Sequence, residues 1–264
     1  MIELLWLLLP VAAASGWWAA RRRSVDGHGR TIYNADYFKG LNYLIDDQPD
    51  QAIEVFTRMA DVDQDTAEIH LALGNLFQRR GEVDRAIHIH GSLIARTKLT
   101  DDQRRRAMLE LGEDYLRAGL FDRAEELFQK LLDQPDHTAI ALSRLIHIFQ
   151  QEKDWRQAIA YSDRLEQISG ESKRRQTAHF CCELAETANA QNQHEEAGTW
   201  LQDALKRDPS CTRANLLLGR LAMRTGNYPA AIAAFQAVEQ QDRGYLPEVI
   251  APLGQCYGAL NRLD

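Results

Sequence analysis

The stretch LGNLFQRRGEVDRAI, Leu73 to Ile87, comes back as LGEDYLRAGLFDRAE at Leu111 to Glu125 and as LGRLAMRTGNYPAAI at Leu218 to Ile232. Each copy has Leu-Gly, an apolar or aromatic residue three after the Gly, a second Gly seven after the first, and an Ala five further on. Small residues at fixed distances mark places where two backbones approach closely, since a bulkier side chain there would hold them apart.

That skeleton resembles the tetratricopeptide repeat, a helix-turn-helix unit. A Gly on helix A lets helix B pack against it, the second Gly sits at the turn, and the Ala lies at the helix crossing. The crossing Ala recurs at Ala52, Ala86, Ala124, Ala158, Ala197 and Ala231, in steps of 34, 38, 34, 39 and 34 residues. The small position of helix A gives Gly40, Gly74, Gly112, Ala185, Gly219 and Gly254, with Ile146 as the bulky exception. The aromatic position that follows gives Tyr43, Phe77, Tyr115, Phe149 and Tyr257, and Phe56, Phe128, Leu201 and Phe235 stand four residues after their Ala. The expected fold is all-α: an N-terminal transmembrane helix followed by a superhelical solenoid of tetratricopeptide repeats. Residues 1–20 form the anchor and 21–33 a basic tether. Residues 34–246 form six repeats and 247–264 an incomplete seventh.

One solenoid accounts for nearly all of the 264 residues. A solenoid ends on a polar capping element. None follows Gly254 and Tyr257, so the expectation is a chain cut short. The whole chain has 31 Lys and Arg against 38 Asp and Glu. Without Glu3 and Arg21 to Arg23, 28 basic residues face 37 acidic ones, a formal charge of −9. That balance argues against nonspecific nucleic-acid binding, which needs a basic surface. The four cysteines, Cys181, Cys182, Cys211 and Cys256, form no C-x-x-C pair and read as reduced structural thiols.

Residues 1–20, MIELLWLLLPVAAASGWWAA, carry one charge and are followed at once by Arg21, Arg22 and Arg23. As a helix they span about 30 Å, the thickness of a bilayer's hydrocarbon core. Trp6, Trp17 and Trp18 lie near the ends, where indoles favour the interface. A signal peptide puts its charges before the apolar run; here they follow it. The arginines therefore hold the repeats on the cytoplasmic side.

No phosphate loop, nucleophile elbow or kinase signature is present, and catalysis is not expected. His88 and His90 are two apart on a helix, hence on different faces, and His194 has no second His at zinc-motif spacing. The positions of helix A not used in packing line a groove. In the sixth repeat these are Arg213, Leu216, Arg220, Met223 and Arg224, on one stripe. Arg79, Arg106 and Arg117 hold similar places earlier, with Asn75 and Glu113 between them. Such a groove reads either as a solvated face or as a seat for an acidic or amphipathic segment of another protein. The Lys and Asn four apart that clamp a terminal carboxylate in some co-chaperones are here Leu71 and Asn75, so that clamp is not supported.

The opening MIELLWLLLPVAAASGWWAARRR, HLALGNLFQRRGEVDRAIHIH, LGEDYLRAGLFDRAEELF and AHFCCELA together resemble the lipopolysaccharide assembly protein B family of Gram-negative bacteria. The resemblance implies a single-pass protein of the inner membrane whose cytoplasmic repeats restrain lipopolysaccharide synthesis. It acts as an adaptor that brings the deacetylase of the lipid A pathway to a membrane AAA+ zinc protease, with a lipid-sensing inner-membrane protein opposing it. It also implies a C-terminal rubredoxin-like ribbon binding iron or zinc through two C-x-x-C pairs. No cysteine here matches those ligands, so no metal or other cofactor is expected in this chain. Two other readings are a scaffold that gathers synthesis and export proteins without a role in proteolysis, and an exported periplasmic repeat protein.

Overall fold

The computed structural model describes residues 35–46, 48–62 and 66–260, all helices, turns and connecting loops. In chain order the helices are α1 (35–45), α2 (Pro49–Val62), α3 (Ala67–Arg79), α4 (Val83–Ile94), α5 (Asp101–Arg117), α6 (Phe121–Leu131) and α7 (Pro135–Gln151). They continue with α8 (Trp155–Ser169), α9 (Arg174–Ala190), α10 (His194–Arg207), α11 (Thr212–Arg224), α12 (Tyr228–Gln241), a 3-10 turn (Arg243–Tyr245) and α13 (Leu246–Ala259). Among the described residues no helix is long and apolar enough to cross a membrane. The anchor expected over residues 1–20, with Trp6, Trp17, Trp18 and Arg21 to Arg23, lies outside them.

The turn between the helices of a pair is the same structure five times. Seven residues after the small position of helix A, the chain adopts positive φ at Gly81, Gly119, Lys153, Asn192 and Gly226. The next amide then bonds back to the carbonyl of the aromatic position: Glu82 to Phe77, Leu120 to Tyr115, Asp154 to Phe149, Gln193 to Ala188 and Asn227 to Ala222, all at 2.8–2.9 Å. This is the Schellman closure, in which a left-handed residue satisfies carbonyls that the helix end would orphan. Glycine takes that conformation without strain; Lys153 and Asn192 hold it at φ 60°. Asp154 and Asn227 then cap the following helices through their side chains.

The residues form two compact units, up to Ala124 and from Glu125 onward, with the division inside α6. In the first unit α3 packs on α2, α4 and α5. Its core is built from Ala52, Val55, Phe56, Leu73, Leu76, Phe77 and Ala86. In the second unit α9 packs on α8, α10 and α11, and α11 packs on α10, α12 and α13. Leu216, Ala231, Phe235, Val238 and Cys256 fill the core at its C-terminal end. The crossing alanines Ala52, Ala86, Ala124, Ala158 and Ala231 have no exposed surface. Close approach is tightest at the helix A glycines: a Cβ on Gly40 would stand 2.7 Å from Phe56, and one on Gly219 would stand 2.5 Å from Phe235.

Candidate interaction site

The position four residues after the crossing Ala carries a ring in most repeats, and in the second it is His90. The imidazole is fully buried and presses on Gly74, where a Cβ would overlap it. Its Nδ1 lies 2.6 Å from Oδ2 of Asp114, itself fully buried, and Gln78 Nε2 donates to the other oxygen at 2.8 Å. Among the described residues His90 Nε2 has no partner, so the tautomer with hydrogen on Nδ1 donating to the carboxylate leaves no buried donor unsatisfied. Asp114 stands two residues after its small position, where Leu76, Ile148, Leu221 and Cys256 are buried and apolar. The two polar substitutions are thus matched: a buried carboxylate needs a donor, and the histidine brings one. His88 is exposed while His90 is buried, so the two lie on different faces of the helix.

Asn75, read from sequence as a groove residue, is half buried; its amide donates to Glu110, whose carboxyl is pushed up by burial, with Asp114 and Glu113 adding to the shift and the Asn75 bond opposing it. Arg79, Arg106 and Arg117 are exposed, Glu113 is half buried, and Arg106 pairs with Asp102 at 3.0 Å within its own helix.

In the second unit the predicted arginines form a row between successive A helices. Arg213 on α11 reaches Glu183 at 2.7 Å and Glu186 at 3.0 Å, both on α9. Burial disfavours its charge, but the two carboxylates outweigh that and raise its pKa. Arg220 pairs with Glu248 on α13 at 2.9 Å, and Arg224 donates to the Asn189 side-chain oxygen on α9 at 3.1 Å. Leu216 is not on this surface: it is buried in the core, and Met223 packs against the same cluster. A stripe drawn from helical periodicity is wider than the face left once neighbours pack on both sides. A parallel row joins the B helices, with Arg207 donating to both oxygens of Asp163 and Arg156 pairing with Glu196.

Two hollows lie along α11. The larger, about 520 Å³, is lined by Arg174, Arg175, His179, Arg207, Cys211 and Arg213 among others. Cys211, at the N-terminus of α11, accepts a hydrogen bond from the Cys182 thiol, which lowers its own pKa to about 7 and raises that of Cys182. The smaller, about 260 Å³, has Ala185, Ala197, Leu201, Leu217 and Leu221 as its floor and Glu186, Asn189 and Arg220 at its rim. Among the described residues no group of three or more His, Cys, Asp or Glu could hold a metal ion. What the site offers is a surface of paired charges around an apolar hollow. His90, Asp114 and this hollow escape a reading of single motifs, yet the repeat register marks all three as departures from the common pattern.

The tetratricopeptide-repeat family matches residues 39–98, 109–172 and 182–245. Lipopolysaccharide assembly protein B of Escherichia coli strain K12 is 40% identical over 264 residues, covering 99% of this chain and 68% of that protein. The protein of the same name from Haemophilus influenzae is 38% identical over 275 residues, covering 100% of this chain and 69% of its own. The solved C-terminal part of a repeat protein from Cytophaga hutchinsonii matches with TM-score 0.53 at 15% identity, covering 88% and 89% of the two chains. A tetratricopeptide repeat protein from Parabacteroides merdae matches with TM-score 0.50 at 15% identity, covering 87% of each. At that identity the solved structures speak for the fold alone. The sequence relatives carry more, and by them this chain belongs to the lipopolysaccharide assembly protein B family of tetratricopeptide-repeat proteins.

Proposed function

We propose that the chain is a non-enzymatic adaptor, anchored in the bacterial inner membrane, that regulates lipopolysaccharide synthesis by bringing the lipid A pathway deacetylase to a membrane AAA+ protease. The observation that carries this reading is the 40% identity, over 99% of the chain, to a protein named for lipopolysaccharide assembly. The helix A face of the second unit supports it, because an adaptor needs a surface for another protein and no reacting group. Residues 1–20 hold it in the bilayer, with Arg21 to Arg23 keeping the repeats on the cytoplasmic side. Sharing one membrane with the protease raises the local concentration of whatever the adaptor holds. A lipid-sensing inner-membrane protein opposes it, and an iron- or zinc-binding ribbon belongs to the longer members of the family.

The half-life of the deacetylase, measured in cells with this chain, with a full-length relative, and with neither, tests the proposal. The adaptor shortens it. An unchanged half-life in all three would leave the scaffold reading, in which synthesis and export proteins are gathered without being degraded. Removing residues 1–20 should move the chain from the membrane fraction to the soluble one.

A further inference from the structure

The hollow beside Arg220 lies where the fifth helix pair departs from the first and sixth. In the first and sixth pairs a glycine faces a phenylalanine, Gly40 with Phe56 and Gly219 with Phe235, and the ring fills the crossing. In the fifth pair Ala185 stands for the glycine and Leu201 for the ring. Leu201 has only 2% of its surface exposed, and beside it lies a cavity of about 260 Å³ lined also by Ala197, Leu217 and Leu221. Its buried lining residues are all alanine or leucine, whereas Glu186 and Arg220 are exposed and Asn189 is half-buried. An apolar hollow with polar groups at its mouth is the form that takes one buried anchor side chain of a partner.

The charges on the same face narrow what accompanies that side chain. Arg213 is matched by Glu183 and Glu186, and Arg220 by Glu248. Among the described residues Arg224 meets no carboxylate; it donates to the neutral Asn189 oxygen, which His194 Nδ1 also approaches at 3.2 Å, and Asn189 lines the cavity. An exposed guanidinium bonded to a neutral side chain that lines the cavity is positioned for a carboxylate from outside. We infer that the Ala185–Leu201 cavity seats a single aliphatic side chain of a partner protein, with a carboxylate next to it on the partner meeting Arg224. The inference rests on the reading of this helix A face as protein-binding and adds the chemistry of what binds.

The test uses the full chain in detergent micelles with labelled leucine methyls, titrated with N-acetyl-Leu-Asp-amide. The Leu201, Leu217 and Leu221 methyls shift saturably. The Ser-Asp analogue, which removes the aliphatic group, binds at least about tenfold more weakly. The Leu-Asn analogue, which removes the charge, also binds more weakly, and that difference disappears in Arg224→Ala. The double variant Ala185→Gly/Leu201→Phe rewrites the fifth pair as the sixth and fills the cavity from below. It keeps a melting temperature near that of the parent, and its Leu217 and Leu221 methyls no longer respond. Absence of saturable shifts in the parent, or shifts that persist in the filled variant, would overturn the inference and make the cavity a packing defect. Either result concerns the pocket alone, since the adaptor reading stands or falls on the deacetylase half-life.

Discussion

His90 and Asp114 are a buried pair in which each residue makes sense only through the other. Replacing His90 by the phenylalanine of other repeats leaves the Asp114 carboxylate buried with Gln78 alone, and breaking such a pair costs about 3–5 kcal/mol. The double change His90→Phe/Asp114→Leu restores the apolar pattern and should recover most of that loss in urea titrations. Two penalties that simply add would show that the pair is not coupled. Cys211 provides a second test at this scale. The hydrogen bond from Cys182 lowers its pKa to about 7 against the opposing effect of burial, whereas burial pushes Cys181 up to about 11. The thiolate is the nucleophile. Both thiols are buried, with 4% of Cys211 and 1% of Cys181 exposed, so alkylation by iodoacetamide, followed by peptide mass spectrometry, should be slow at both and should favour Cys211 near neutral pH. Equal labelling of the two would contradict the assignment.

The closing turn of the pair constrains each element. Four of its five left-handed positions are Gly or Asn, which tolerate positive φ, and the fifth is Lys153. A side chain there costs about 1–2 kcal/mol, so Lys153→Gly should stabilise the second unit by up to about 1 kcal/mol after glycine's own entropy is subtracted. A fall in stability would mean that the lysine makes a contact outweighing its strain. The opposite substitution tests the crossing: Gly219→Ala sets a methyl group 2.5 Å from the Phe235 ring and should lower stability by about 1–3 kcal/mol by overpacking. If that change is tolerated, α11 and α12 are not held together by close approach.

Among the described residues many charges pair with one another at the surface. The pairs Arg220–Glu248 and Arg156–Glu196 have side chains 39–62% exposed. Exposed pairs of this kind contribute about 0–1 kcal/mol each and are screened by salt. The buried alanines, leucines and rings carry the stability instead. Raising sodium chloride from 0.1 to 1 M should therefore change the melting temperature by no more than about 3 °C. A fall above about 10 °C would assign the stability to the ion-pair rows.

The sequence by itself determined the repeat. Gly74, Gly81 and Ala86 stand at places where only a small side chain or a left-handed backbone is sterically allowed, and such restrictions are local enough to show as spacing. It also carried the family likeness, since long runs such as HLALGNLFQRRGEVDRAIHIH are matched residue by residue. Only the tertiary structure decided what the departures from the pattern do. That His90 needs Asp114 depends on α4 and α5 meeting across 24 residues of chain, a pairing no helical period encodes. That Leu216 is core while Arg213, Arg220 and Arg224 join neighbouring helices depends on which helices pack against α11. The cavity at Ala185 and Leu201 is the clearest case, because its volume comes from what three helices, α9, α10 and α11, fail to fill, and empty space is a property of packed surfaces that no single residue carries.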